Sequence, residues 1–206
     1  MNINKIIKAL YSKVRFKPLY YMLSSRDREQ VDVAEWLLKQ LTTYHGLLHE
    51  VLIDNKLVSA NGTDITVWNI MRWVHANIEY TRDRVQYNSV EHWAPVNETL
   101  GSMAGDCEDG AVLIYCLCRT AGISKEQVAL NAGDVTEAGH CWVRYVSEHT
   151  PYVQNYLDWC YWYDSRPVRH RTAYIELEDG IVFPVQKSNN YKKLWFTVNE
   201  DGGTTW

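Results

Sequence analysis

Residues 103–118 read Met-Ala-Gly-Asp-Cys-Glu-Asp-Gly-Ala and then, without a break, Val-Leu-Ile-Tyr-Cys-Leu-Cys. A helix that is apolar on every side is a buried helix, so the stretch after Cys107 predicts a central element that other layers must cover. The polar lead-in supplies its start: Asp106 suits the N-cap, and Glu108 and Asp109 suit a first turn. Cys107 therefore stands at the mouth of a buried helix.

That position bears on chemistry, because a thiol with an ordinary pKa of about 8.5 is mostly protonated at neutral pH and only the thiolate attacks efficiently. A helix N-terminus carries roughly half a positive charge and unpaired N–H groups, and a nearby imidazolium adds a full charge. Asp106, Glu108 and Asp109 oppose the thiolate, so the helix end and a base must outweigh them. The base expected from the chain is His140, in Gly139-His140-Cys141-Trp142-Val143-Arg144-Tyr145, and the orienting acid is Asp164, in Trp162-Tyr163-Asp164-Ser165. Aromatic and β-branched composition predicts strands at 140–147 and 159–165. Their period of two places His140 with Trp142 on one face and Trp162 with Asp164 on one face. Paired strands would bring imidazole and carboxylate together, with 147–158 as a long loop over a cleft. Asp158 is the alternative to Asp164, and His149 or His170 the alternatives to His140. The second oxyanion donor, beside the Cys107 N–H, is sought among Tyr80, Gln86, Trp93 and Asn97.

Gly-Asp-Cys-Glu-Asp-Gly-Ala, Ala121-Gly122-Ile123, Gly-His-Cys-Trp-Val and Trp-Tyr-Asp-Ser, in this order, resemble the transglutaminase-like superfamily, and most nearly its bacterial cysteine proteinases. The segments Val67–Val74, Asn77–Tyr80 and Trp93–Leu100 are similar to the family's helix and lead-in before the nucleophile, so the likeness spans roughly residues 65–166. It implies an α+β fold with a papain-like core, N-terminal helices, and the nucleophile on a central buried helix packed on an antiparallel sheet. It implies acyl transfer through a thioester on a protein or peptide substrate, with Cys107 as nucleophile, His140 as base and acid, and Asp164 as orienting group. Water as acceptor gives a peptidase or amidase, and a lysine-like amine gives a transglutaminase. A catalytically silent assembly protein, such as a phage component, is the third reading, and the unbroken triad argues against it. Adhesin-cleaving members bind calcium through acids flanking the nucleophile, positions that Asp106, Glu108 and Asp109 match. No other cofactor is implied. Cys141 stands where a small residue is more usual.

Nine Trp and 14 Tyr are a rich supply, and the cluster around the proposed site makes Trp93 and Trp142 candidates for a substrate-binding wall. The five cysteines are odd in number and lack a disulfide-framework spacing, which favours a reducing compartment. With no Cys-x-x-Cys pair, no zinc site is expected, and Cys116, Cys118, Cys141 and Cys160 read as small apolar fillers.

Residues 1–30 hold seven basic side chains (Lys5, Lys8, Lys13, Arg15, Lys17, Arg26, Arg28) against Asp27 and Glu29, although the whole chain has a net charge of −4. Ile3, Ile6, Ile7, Leu10 and Val14 recur at helical spacing, so a basic amphipathic helix is expected there, docking on an acidic body and not on nucleic acid. Lysines interrupt each apolar run, so no export signal and no membrane span is read, and a cytoplasmic or virion-associated location is expected. The domain expectation is a helical extension over 1–60 and a catalytic domain over 61–200, the two forming one compact unit. Helices are expected within 26–52 and at about 65–78, and strands near 126–131, 140–147, 159–165, 172–177, 181–185 and 194–198, with Asp179-Gly180 as a hairpin turn.

Overall fold

Asp32 opens the first long helix, α1 (Val33–Thr43): its Oδ1 accepts from the N–H groups of Ala34 at 2.9 Å and Glu35 at 3.3 Å. The structure, a computed structural model, describes residues 21–23, 30–135, 138–149, 154–161, 173–176, 182–185 and 191–205. Two short strands, β1 (Tyr21–Leu23) and β2 (Gln30–Asp32), pair ahead of α1. The amphipathic segment expected over residues 3–14 lies outside the described residues.

Helices α2 (His45–Asp54) and α3 (Thr63–Asn77) follow. Val33 and Leu37 of α1, Leu48 and Leu52 of α2, and Val67, Ile70, Met71 and Val74 of α3 are almost wholly buried in one apolar core. That core surrounds the Cys107 helix, α6 (Cys107–Thr120), in which every residue from Glu108 to Cys118 is buried. Before it come β3 (Glu79–Tyr80), the single turn α4 (Asp83–Gln86), α5 (Val96–Ser102) and β4 (Ala104–Gly105). β3 pairs in parallel with β4, which sets Tyr80 beside the residues leading into Cys107.

The other layer is a five-stranded antiparallel sheet of β5 (Val128–Val135), β6 (Ala138–Val146), β7 (Gln154–Leu157), β10 (Tyr191–Asn199) and β11 (Gly202–Thr205). Its spatial order is β11-β10-β5-β6-β7. Strands β8 (Ala173–Glu176) and β9 (Val182–Val185) form a separate hairpin. Alternation along β6 sends Cys141, Val143 and Tyr145 into the core shared with α6. The buried Asp64 ties α3 to the end of β6, accepting from Tyr145 O–H, from Ser147 Oγ at 2.6 Å and from the Glu148 N–H at 3.3 Å. At the far end of α6, Glu200 accepts from Tyr115 O–H and from Arg119 Nε at 2.9 Å and Nη2 at 2.6 Å.

The sequence expectation of a strand at 159–165 is corrected over its first three residues, and residues 162–165 lie outside the described residues. The partner of β6 is Gln154–Leu157, in register Val143↔Leu157, and Trp159–Tyr161 is a turn of 3₁₀ helix. The aromatic run from Trp159 has strand propensity, yet the backbone bonds available on β6 are taken by the polar segment before it. Pairing outweighs propensity at such a position.

Gly110 marks where the turn meets the helix, since a Cβ built there would lie 2.2 Å from the indole of Trp159, which is 3% exposed. Alanine favours a helix interior by about 1 kcal/mol over glycine, but overpacking a rigid buried ring costs about 1–3 kcal/mol. Loss of the bond from Trp159 Nε1 to the Cys107 carbonyl, 3.4 Å, adds to that. Gly110→Ala is therefore expected to lower the melting temperature by roughly 2–6 °C, and a melt at or above the parent value would show that the indole has room to move.

Candidate active site

Cys107 occupies the first position of α6, where backbone N–H groups lack intrahelical partners. Asp109 reaches back to accept from the Asp106 N–H at 3.2 Å, which fixes the turn into the helix. The Cys107 thiol is half-buried and donates to Glu108 Oε2 at 3.0 Å. Burial pushes its pKa up, and the charges of Glu108 and Asp106 push in the same direction. The opposition expected from the flanking acids is present, and it adds to the larger effect of burial.

His140 and Asp158 come together at 2.7 Å between Nε2 and Oδ2, with side chains 8% and 0% exposed. The sheet explains the meeting. With Val143 opposite Leu157, Asp158 stands one residue past the end of β7, on the face that carries His140. Three further contacts hold the pair: Tyr191 O–H donates to Asp158 Oδ2 at 2.8 Å, the Cys160 N–H donates to Oδ1 at 3.1 Å, and the Tyr161 ring lies edge-on to the imidazole at 5.1 Å. The carboxylate on His140 is thus that of the alternative, Asp158. Asp164 and His170 lie outside the described residues. His149 is half-exposed, pairs with Glu148 at 3.9 Å and clusters with Asp64 instead.

The two halves of the site meet across the 3₁₀ turn, where Trp159 donates to the Cys107 carbonyl and Asp158 immediately precedes it. Cys141, next to His140, lies within electrostatic reach of the Cys107 thiol. The hydrogen bond of that thiol nevertheless goes to Glu108 and not to His140.

Of the two expected substrate-wall residues, Trp142 is corrected: at 1% exposure it packs behind His140 against Tyr156 and Tyr191, at ring separations of 5.8 and 4.6 Å. It is a backing residue because its strand neighbours close over it. Trp93 is half-buried, edge-on to Trp36 at 6.0 Å, and donates to Glu91 Oε1 at 3.0 Å. Among the expected oxyanion donors, Gln86 Nε2 is occupied by Tyr87 Oη, Ser102 Oγ and the Ala104 carbonyl, and Asn97 lies on the exposed side of α5. Tyr80 remains. It is 51% exposed, its ring is tilted on Trp159 at 5.8 Å, and its hydroxyl feels the Cys107 thiol, which together with burial pushes its pKa up.

Beside Cys107 lies a cluster that the sequence showed only in part. Asp83, from α4, and Glu91 join Asp106, Glu108 and Asp109, with carboxylate oxygens of Asp83, Asp106 and Asp109 and of Asp83, Glu91 and Glu108 within 4.8 Å of one another. Burial and neighbouring acids push Asp83 up to about 7 and Asp109 up to about 8. Among the described residues none of these acids forms an ion pair with a basic side chain. Asp83 Oδ1, Asp106 Oδ1, Glu108 Oε1 and the nearby Gln86 Oε1 are buried without a hydrogen-bond partner. Oxygens so placed suit a hard divalent cation.

An α+β fold that starts its buried helix on a half-buried thiol, with an imidazole–carboxylate pair on the sheet packed against that helix, is a papain-like architecture. The chain belongs to the transglutaminase-like domain family, whose model matches residues 51–160. LapG of Legionella pneumophila is a similar solved structure, with a TM-score of 0.53 at 16% identity over 84% of this chain and 87% of that chain. Its calcium-bound form gives 0.51 at 15% identity over the same shares, and its EGTA-treated form 0.53 at 16% over 84% of each. At such identities the likeness is one of fold. No curated protein matches the sequence. Among the described residues no helix is long and apolar enough to cross a membrane.

Proposed function

We propose that the chain is a thiol-dependent acyl-transfer enzyme acting as a peptidase or amidase on protein or peptide substrates. Cys107 is the nucleophile, His140 the proton carrier and Asp158 the orienting acid. The observation that carries this reading is the buried 2.7 Å pair of His140 and Asp158, in a family fold that starts its core helix on Cys107. Asp158 occupies Nε2 of the ring and leaves Nδ1 for the thiol proton. The thiol turns from Glu108 to His140 and gives up its proton, and sulfur attacks the substrate carbonyl carbon. The oxyanion takes hydrogen bonds from the Cys107 N–H and the Tyr80 hydroxyl. His140 then protonates the departing amine as the C–N bond breaks, and deprotonates the water that hydrolyses the thioester.

The acid cluster fits calcium, with Asp83, Asp106, Glu108 and Asp109 as ligands and Glu91 at the rim, because its partnerless oxygens are hard donors. Calcium held by these residues would supply positive charge beside Cys107, with Glu108 engaged as one of its ligands. The LapG forms with calcium and with EGTA support this reading for the fold.

A limiting dose of iodoacetamide at near-neutral pH in the presence of calcium, mapped by mass spectrometry, tests the pair. Cys107 should carry most of the label, and His140→Ala should slow its labelling at least ten-fold. Equal labelling of the cysteines, insensitive to His140→Ala, would sink the mechanism. Incorporation of a labelled primary amine in place of hydrolysis would change the acceptor from water to amine.

A further inference from the structure

Cys160 has no part in the proposed chemistry, yet its sulfur, a ring nitrogen of His140 and a carboxylate oxygen of Asp158 all lie within 4.8 Å of one another. Local spacing concealed this group. His140 sits on β6 and Cys160 in the 3₁₀ turn, and only the β6–β7 pairing folds one onto the other. We propose that His140, Asp158 and Cys160 form a zinc-type cation site, and that a cation held there blocks the imidazole and inhibits the enzyme.

The donor chemistry selects the ion. One nitrogen, one oxygen and one sulfur form a borderline-soft set that suits zinc and not calcium, whereas the neighbouring cluster offers only oxygens. The surroundings hold the ligands in place, as metal sites require: Tyr191 O–H and the Cys160 N–H both donate to the Asp158 carboxylate. Charge favours a cation as well, for Asp158, Asp106 and Glu108 are the charges felt by the Cys160 sulfur. The side chains of His140 and Asp158 are nearly sealed from solvent, and Cys160 is half-buried, which leaves an approach from the Cys160 side. On binding, zinc replaces the thiol proton of Cys160, which passes to solvent, and takes the place of the proton on His140 Nε2, the nitrogen that faces Asp158; that proton moves to Nδ1, which can then no longer accept the proton of Cys107. Three protein ligands leave a fourth position for water.

Binding is separable from catalysis, so the test has two arms. In the first, the full reduced chain is titrated with zinc against a chromophoric chelator and with cobalt(II) as a spectroscopic substitute. One ion per chain should bind, with a thiolate-to-cobalt charge-transfer band in the near ultraviolet. Cys160→Ser should remove that band and weaken zinc at least ten-fold, while Cys107→Ser and Asp83→Asn keep both. A band that survives in Cys160→Ser, or zinc affinity unchanged within two-fold, overturns the site. The second arm rests on the proposed function and reads iodoacetamide labelling of Cys107, with calcium saturating and zinc added. Zinc should slow labelling at least ten-fold in the parent and less than two-fold in Cys160→Ser. Equal slowing in both overturns the inhibition. A chain that binds cobalt as described but hydrolyses nothing would keep the metal site and discard the enzyme reading.

Discussion

Asp158→Ala is expected to lower the hydrolytic rate by about 10²–10⁴-fold with a nearly unchanged KM, while Asp164→Ala stays within about three-fold of the parent. Asp158 holds Nε2 of His140 at 2.7 Å, fixes the ring so that Nδ1 meets the thiol, and stabilises the imidazolium formed on proton transfer. Its loss also strands the Tyr191 hydroxyl and the Cys160 N–H, which costs about 1–3 kcal/mol for each buried group left unpaired. Structural damage and chemical loss must therefore be told apart. Tyr191→Phe serves for this: it removes one support from the carboxylate but leaves the carboxylate itself, and it should retain at least a tenth of the activity. An Asp164→Ala chain as impaired as Asp158→Ala, or an active Asp158→Ala chain, would move the orienting role away from Asp158.

Calcium is expected to raise the melting temperature of chelator-treated protein by roughly 5–10 °C. At a hundred times the dissociation constant a ligand that binds only the folded state adds about 2.7 kcal/mol, and each kcal/mol is worth about 2–4 °C in a chain of this size. The cause lies in the crowding of acids around Asp106: burial and neighbouring carboxylates disfavour the charged forms of Asp83, Glu108 and Asp109. Asp83→Asn should abolish most of the calcium shift. Magnesium should give a smaller one, because it sheds water reluctantly and demands a strict octahedron. Matching melts in calcium and EGTA would remove calcium from the cluster. Rates should follow the melts, with chelation lowering hydrolysis at least ten-fold as Glu108 reclaims the thiol.

How far the chain could be read in advance depended on whether the signal was local. The apolar run after Cys107 announced a buried helix, and α6 begins and ends close to where Asp106 and Gly122 place it. Gly122 adopts φ 87°, a conformation that suits glycine after a helix. His140 was legible because its strand alternates strongly. Asp158, the acid on His140, was read only as the alternative to Asp164 for a physical reason: β7 is only four residues long and begins Gln-Asn, so its strand character comes from pairing and not from composition. The clue available was Asp158 directly after Leu157, a polar stop behind an inward apolar residue. Two acids of the cluster, Asp83 and Glu91, were likewise hidden, since Asp83 reaches the helix start from a turn more than twenty residues upstream. Trp142 was misjudged because aromatic content does not say which face of a strand is covered. The apolar faces of the helices at 33–54, within the expected extension, enter the same core as α6.

The order of strands in the sheet has a consequence for how the protein is made. β10 lies between β11 and β5 but follows β5 by more than fifty residues, so β5 lacks one of its two neighbours until residue 199 is available. A nascent chain lacking that strand can form α6 and the β5–β6–β7 meander but must leave one flank of the sheet unpaired. Contacts of such long sequence separation form slowly, and open strand edges invite association between chains. The helix carrying Cys107 is thus finished long before the strand that completes the sheet it rests on, and the yield of folded protein is expected to rise when synthesis is slowed or chaperones are supplied.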